Sequence, residues 1–524
     1  MKVLSIALRK IRPFLTCALT LWGCGAPRTQ SALSESNEQN EQHHQLNTPL
    51  LIHFRESVSQ DNLPRIMSSF ADSLWNDPLS SNQWYFHNTG QAVPVLGQGA
   101  VGADIRLPEK HLFPSGLRPV ILALIDTGID RTQADLNQNM LFLNEGESGT
   151  DSSGRDKSFN GVDDDGNGFI DDVSGWSFAD DTNRQRDSLG HGTHLAGLLA
   201  AKADNGLGIA SPWTGFRILS IQIFSGSRPS VTAEKIADAI RYAVDSGASV
   251  ISASFGTPHF SKVVYDAVAY ARRKDVLFVS AVGNFRKNLN REPSYPASFN
   301  LDNQISVAAS DSWDLATGFT NFGESVDLFA PGAQIFSILP DNQYGFRSGT
   351  SQACPLVAAV AAQLRSQNPE KSAGQIKLQI LEGADEKIGL VGFSPTARRL
   401  NTKNALDGSK GLRFKKPEGQ VVRQTSYLLE SEHPYRSGSK VKIPVRLDAG
   451  VVGFRLHFER FVTHSADTLT ILDMNGHPVQ RFSGDLGEMW SAVIPGAAAD
   501  LEFSSDAFVT DWGWRVDRIE LISP

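Results

Sequence analysis

Cysteine is almost missing from this chain: Cys17, Cys24 and Cys354 are the only three in 524 residues. Two of them fall in an export-like N-terminal segment, so a disulfide framework is excluded, and stability must come from core size or bound ions. Excess charge of one sign is missing too. The 49 Lys and Arg stand against 57 Asp and Glu, and the formal net charge of −8 is spread along the chain. That balance does not suit a nucleic-acid partner. Beyond the N-terminus, no apolar run approaches the roughly 20 residues of a membrane helix. What is present is a hydrophobic fraction of 40% and 45 glycines. At this length, two or three units with many tight turns are expected.

The N-terminus reads as an address. Lys2, Arg9, Lys10 and Arg12 precede an apolar run, Phe14 to Trp22, that is too short to span a bilayer. It ends in "LWGC", which resembles a bacterial lipobox with Cys24 as the lipidated residue; Trp22 is bulkier than usual there, and ordinary signal cleavage nearby is the alternative. Residues 1–23 are therefore expected to be a lipoprotein-type signal peptide, and 24–49 a polar flexible tether without apolar period. Such a tether spans about 25–30 Å. Its product would be a lipoprotein of the bacterial cell envelope, facing the outer membrane or periplasm, or alternatively a secreted protein. Residues 50–74 read as a strand and a helix, a short vestigial propeptide.

From 75 to 410 the text alternates. "PVILALI" (119–125), "RILSIQI" (217–223), "ASVISAS" (248–254), "VLFVSA" (276–281) and "QISVAA" (304–309) are apolar throughout, as buried parallel strands are. Between them, 232–247 and 260–275 carry helical apolar spacing. This predicts an α/β fold, a doubly wound, mostly parallel sheet whose site forms at the carboxyl ends of its strands. From 411 to 524 short alternating runs divided by turns predict a separate all-β sandwich. With the site residues all upstream, a chain ending near Asp407 is expected to keep peptide cleavage.

Four residues stand where such a scaffold positions chemistry. Asp126 ends a strand in "LALIDTGID", and His191 opens a helix in "GHGTHLAG". Asn284 follows a strand in "AVGN", and Ser351 precedes an alanine-rich helix in "SGTSQACPLVA". Alone, Ser351 reads equally as a helix N-cap. With a base, an orienting acid and an amide donor elsewhere in the chain, it reads as a nucleophile.

Together with "NDPLSSNQWYFHNTGQ" (76–91), "SASFG" (252–256) and "SYPA" (294–297), these segments resemble the subtilisin-like serine proteases, or subtilases, in the family's order. The resemblance implies an exported serine-type endopeptidase acting through Asp126, His191 and Ser351. Asn284 and the Ser351 N–H would form the oxyanion hole. Ser254, Phe255 and Gly256 would form an edge for the substrate backbone, with Ala281 to Gly283 as the opposite pocket wall. Small residues there fit an apolar or aromatic side chain. Gln352 stands where the family usually has Met, and Cys354 where Ala or His is frequent. Cys354 reads as a small buried hydrophobe, Pro355 as a proline in or near the first turn, and His194 as packed structure. Protein or peptide substrates and a monomer acting alone are expected, with membrane contact only through the lipid.

In "NGVDDDGNGFIDD" (160–172), Asp163, Asp165 and Asn167 alternate before Gly168. The Phe169 carbonyl and Asp172, or Asp171, would complete a structural Ca²⁺ site on the pattern of the first half of an EF-hand loop. The usual twelfth-position Glu is absent at Ser174. Crowded aspartates repel without a cation. The C-terminal segment resembles a CUB-like domain through "DTLTILDMNG" and "WGWRVDRI". Asp467 and Asp506 match a calcium pair found in some of these domains, with His464 where a Glu would stand. Trp490, Trp512 and Trp514 read as core. The competing functions are a pseudoenzyme that only binds protein or glycan, and a processing enzyme with one dedicated substrate.

Overall fold

The apolar runs become neighbouring strands. The computed structural model describes residues 74–108, 113–114, 116–414, 421–448 and 450–523. The signal segment, Cys24, the tether and the propeptide segment up to residue 73 lie outside the described residues. In chain order the α/β body contributes β1 (Val120–Asp126), β2 (Gly175–Ser177), α1 (His191–Ala200), β3 (Phe216–Gln222), α2 (Ala233–Asp245), β4 (Ala248–Ala253), α3 (Lys262–Arg273), β5 (Leu277–Ala281) and β6 (Gln304–Ser310). It continues with β7 (Leu328–Pro331), β8 (Ile335–Leu339), β9 (Gln343–Arg347), α4 (Thr350–Gln367), α5 (Ala373–Gly383), β10 (Asp385–Glu386), β11 (Arg398–Arg399) and α6 (Thr402–Asp407).

Among the described residues, nine of these strands form one sheet in the order β10-β11-β7-β6-β5-β4-β1-β3-β2, parallel except for the β10–β11 pair. The fold is the expected doubly wound sheet, and alternation along each strand divides its side chains between two helical layers. Leu122, Leu124, Val250 and Val279 pack against α1 and α4, whereas Ala123, Ile125, Ile251 and Phe278 pack against α2 and α3. β4 pairs with β1 on one side and β5 on the other. The chain therefore leaves Asp126, Ala253 and Ala281 at one edge of the sheet, side by side.

The C-terminal region adds β12 (Val421–Glu430), β13 (Lys440–Arg446), β14 (Gly453–Val462), β15 (Thr468–Leu472), β16 (Pro478–Phe482), β17 (Asp485–Trp490), β18 (Ile494–Pro495), β19 (Ala498–Ser504) and β20 (Gly513–Ser523). One antiparallel sheet runs β12-β20-β14-β17, with β18 on β14, and a second runs β13-β19-β15-β16. Phe454, Phe458 and Ile519 of the first meet Leu469, Leu501 and Phe503 of the second in one buried cluster. That cluster does not stop at the sandwich. It runs on through Val282, Leu289, Phe322 and Phe393 of the α/β body. Trp514 is buried as expected, but Trp490 and Trp512 are half-buried. Arg455 lies over the ring of Trp490, and Arg460 over that of Trp512. Indole faces hold cations well at a wet boundary, so these two positions sit under arginines rather than in the core.

Candidate active site

Asp126, the last residue of β1, is buried and turns its Oδ1 to His191 Nδ1 at 2.6 Å. The same oxygen accepts the Thr127 N–H at 2.8 Å, which fixes the carboxylate. His191 is the first residue of α1, and this placement depends on the glycine after it. A Cβ on Gly192 would lie 2.1 Å from the Gly128 carbonyl oxygen, so only glycine lets α1 start this close to the β1 turn.

Asp187 ties the two segments together, a role the sequence reading did not assign. It is buried, and its carboxylate accepts the Thr127 hydroxyl at 2.9 Å, the Gly190 N–H at 2.7 Å and the Thr193 N–H at 2.8 Å. Thr127 in turn accepts the Gly192 N–H at 2.7 Å. Burial pushes the Asp187 carboxyl up from its ordinary range, and Asp126 nearby pushes the same way. An acid four residues before a helical histidine was its available signal.

Ser351 is not a cap. The N-cap of α4 is Gly349, and no side chain caps there. Ser351 is the second helical residue, so its N–H is one that an α-helix leaves without an internal partner. Its hydroxyl is 3.3 Å from the Ser254 carbonyl oxygen. Pro355 is the sixth residue of α4, just past its first turn. Having no N–H, it cannot bond the Ser351 carbonyl four residues back. The Ser254 hydroxyl takes that acceptor instead, at 3.0 Å, and joins the end of β4 to the Ser351 turn.

Asn284 is oriented by its own acceptor. Its Oδ1 receives the Thr350 N–H at 2.8 Å and the Thr350 hydroxyl at 3.0 Å, so the carbamoyl NH₂ is the end left to donate. That NH₂ flanks Gly349, where a Cβ would stand 3.2 Å from it. Gly283 has φ +102°, and Asn321 holds the turn through bonds to Val282 O, Phe285 N and Lys287 N. Ala281 and Ser254 are buried, and Gly256 is partly exposed. The Phe255 side chain packs into the α2–α3 layer, so only the backbone of 254–256 can face a peptide. Cys354 is buried as expected, with Sγ 3.4 Å from Val279 O, and burial pushes its thiol up to about 11. His194 Nε2 is 3.1 Å from Ile335 O, a structural contact. Gln352 is fully buried.

The acidic loop assembles differently from its spacing. Asp165 and Asp172 come together with Glu147, their carboxylate oxygens all within 4.8 Å of one another. Glu147 was not anticipated. It lies outside the loop and enters from the segment before it. Asn167 Nδ2 donates to Asp165 at 3.3 Å and to Asp172 at 3.2 Å. Asp163 accepts the N–H groups of Gly166, Asn167 and Gly168 and shapes the turn. Phe169 anchors the loop with its ring against Trp176, Phe178 and Tyr242. In the sandwich, His464, Asp467 and Asp506 form a second cluster within the same limit. Burial pushes the Glu147 and Asp172 carboxyls up.

A buried Asp–His pair at the end of a parallel strand, beside an oriented Asn and a serine on the next helix, is the arrangement of a particular family of hydrolases. Residues 118–412 match the subtilase (Peptidase S8) family model, and the chain belongs to the subtilase family. It is 39% identical over 234 residues to thermitase of Thermoactinomyces vulgaris, covering 45% of this chain and 81% of that one. It is 34% identical over 285 residues to the thermophilic serine proteinase of Bacillus sp. (strain AK1), covering 54% of this chain and 61% of that protein. Among solved structures, a protease from Pseudoalteromonas arctica PAMC 21717 aligns at 24% identity with a TM-score of 0.47, over 64% of this chain and 99% of that one.

Proposed function

We propose that the chain is an exported serine endopeptidase that cleaves peptide bonds through an acyl-enzyme. The observation that carries this is the buried 2.6 Å contact of His191 Nδ1 with Asp126, at the sheet edge that also presents Asn284 and Ser351. The Asp126 contact fixes the tautomer with Nδ1–H, so Nε2 is the nitrogen that takes the Ser351 proton and returns it to the leaving amine. The substrate carbonyl becomes an oxyanion, which the Asn284 NH₂ and the Ser351 N–H stabilise. The backbone of 254–256 would pair with an extended peptide, and pairing of that kind accepts many sequences.

Calcium fits the Glu147–Asp165–Asp172 cluster. The donors are all oxygen, and Glu147 Oε2 is buried with no hydrogen-bond partner among the described residues. Glu147, Asp165 and Asp172 would hold the ion, with Asn167 beside them, and the ion would supply structural charge neutralisation only. The sandwich is proposed as a CUB-like module, supported by its two antiparallel sheets and the His464–Asp467–Asp506 cluster. Acylation at Cys24 would tether the monomer to the envelope, where protein is the substrate.

A fluorophosphonate probe tests the central claim. It should label Ser351, as read by mass mapping, and Ser351→Ala should lose both labelling and hydrolysis of a chromogenic peptide. A folded wild type that neither labels nor hydrolyses would be the pseudoenzyme instead.

A further inference from the structure

The loop that carries Asn284 has a second anchor, two residues on. Arg286 is buried, with φ +55°, a left-handed conformation uncommon away from glycine. Its backbone N–H bonds Phe319 O at 2.8 Å. Its guanidinium reaches in two directions, from Nη1 to Thr317 O of the α/β body at 2.9 Å, and from Nε to Ser483 O of the sandwich at 3.0 Å. The same group lies over the rings of Phe393, at 4.6 Å, and Phe322, at 5.5 Å. Burial pulls the guanidinium down to about 9, with Arg481 adding to the effect.

A buried cation held by carbonyls and ring faces is costly unless its surroundings are complete. Here part of those surroundings is the sandwich. Gly484, with φ +77°, gives the approach: a Cβ there would lie 2.8 Å from Arg286 Cγ. The contact is reinforced by Arg481, which pairs with buried Asp311 at 2.9 Å, and by Phe482, whose ring meets that of Phe393 at 6.1 Å.

We propose that the β sandwich is part of the hydrolytic apparatus: its Ser483–Gly484 turn grips Arg286, and Arg286 holds the 284–286 loop so that the Asn284 amide meets the oxyanion. Arg286 is a positioning residue, acting through Asn284 without touching substrate. The inference rests on the peptidase reading, and it reverses the expectation that a chain ending near Asp407 keeps its activity.

A double-mutant cycle in the full-length chain tests it, with kcat and KM on a chromogenic peptide and a melting curve for each variant. Asn284→Ala should lose on the order of 10²–10³ in kcat with KM nearly unchanged. Arg286→Met should lose about 10- to 100-fold in kcat, again with little change in KM. In the Asn284→Ala background, Arg286→Met should cost almost nothing more, and Arg286→Lys should restore part of the loss in the otherwise wild-type chain. Should Arg286→Met not fold, Gly484→Ala, which displaces Arg286 from the sandwich side, should show the same kcat loss and the same non-additivity. Additive losses, or an unchanged kcat in folded variants, would overturn the proposal while leaving the peptidase reading intact. A wild type without hydrolysis or probe labelling would bring down that reading first.

Discussion

Pro355 is where α4 gives up one hydrogen bond, and the Ser254 hydroxyl takes its acceptor, Ser351 O. The apparent helix-breaker thereby leaves Ser351 O free to accept from Ser254 at the end of β4. Cys354, one residue earlier, fills the space beneath β4 and β5 and makes a pH prediction. The thiol ionises near 9.0 in the unfolded chain but is held to about 11 in the fold. Between those values the unfolded state binds fewer protons, so stability falls as pH rises from 9 towards 11, by up to about 3 kcal/mol. Melting temperatures taken across that range at fixed calcium should drop more steeply for the wild type than for Cys354→Ala. Parallel curves would show that Cys354 is not the group responsible. Asp126, His191, Asn284 and Ser351 stand out in the sequence because each sits in a short motif with glycine neighbours. Asp187, Glu147 and Arg286 do not. Each acts through the backbone or carboxylates of a distant segment, and an arginine in a polar stretch reads as solvated until Ser483 is seen against it.

At the scale of elements, the legible strands were those buried on both faces. β1, β3, β4, β5 and β6 each lie within a residue or two of their apolar runs, and α2 and α3 within two of theirs. β12 was harder to read, because "VVRQTSYLLE" mixes polar residues into a largely exposed strand. The junction of β1 and α1 makes a sharper claim. All three contacts of the absent Gly192 Cβ within 3.2 Å on Gly128 are backbone, and backbone cannot rotate away. Gly192→Ala should push the start of α1 off the β1 turn and move His191, with a loss on the order of 10² in kcat. Steady-state kinetics on a folded variant checks this, and a wild-type kcat would mean that α1 tolerates the displacement.

At the scale of the whole molecule, the described residues hold no disulfide, and stability rests on the shared core and on the calcium proposed for the Glu147 cluster. Excess chelator should lower the melting temperature and speed autolysis. An ion at about 100 times its Kd stabilises the native state by roughly 2.7 kcal/mol. Glu147→Gln should reproduce much of that loss, as should Asp165→Ala, with calorimetry as the readout. A melting curve indifferent to chelator removes calcium from the account. The cluster of Phe322, Phe393, Phe458 and Phe482 makes the sandwich and the α/β body one buried unit rather than two beads on a string.

The strand order of the sandwich bears on biosynthesis. β20 is drawn from residues 513–523, yet it lies between β12 and β14, inside its sheet. A nascent chain therefore possesses Asp126, His191, Asn284 and Ser351 well before the surface that steadies Arg286 can close. If the sandwich steadies Asn284 as proposed, a half-made protease would be a poor one until that late strand slots between its neighbours. On the proposed role of Arg286, this wiring would delay self-digestion during synthesis and transit.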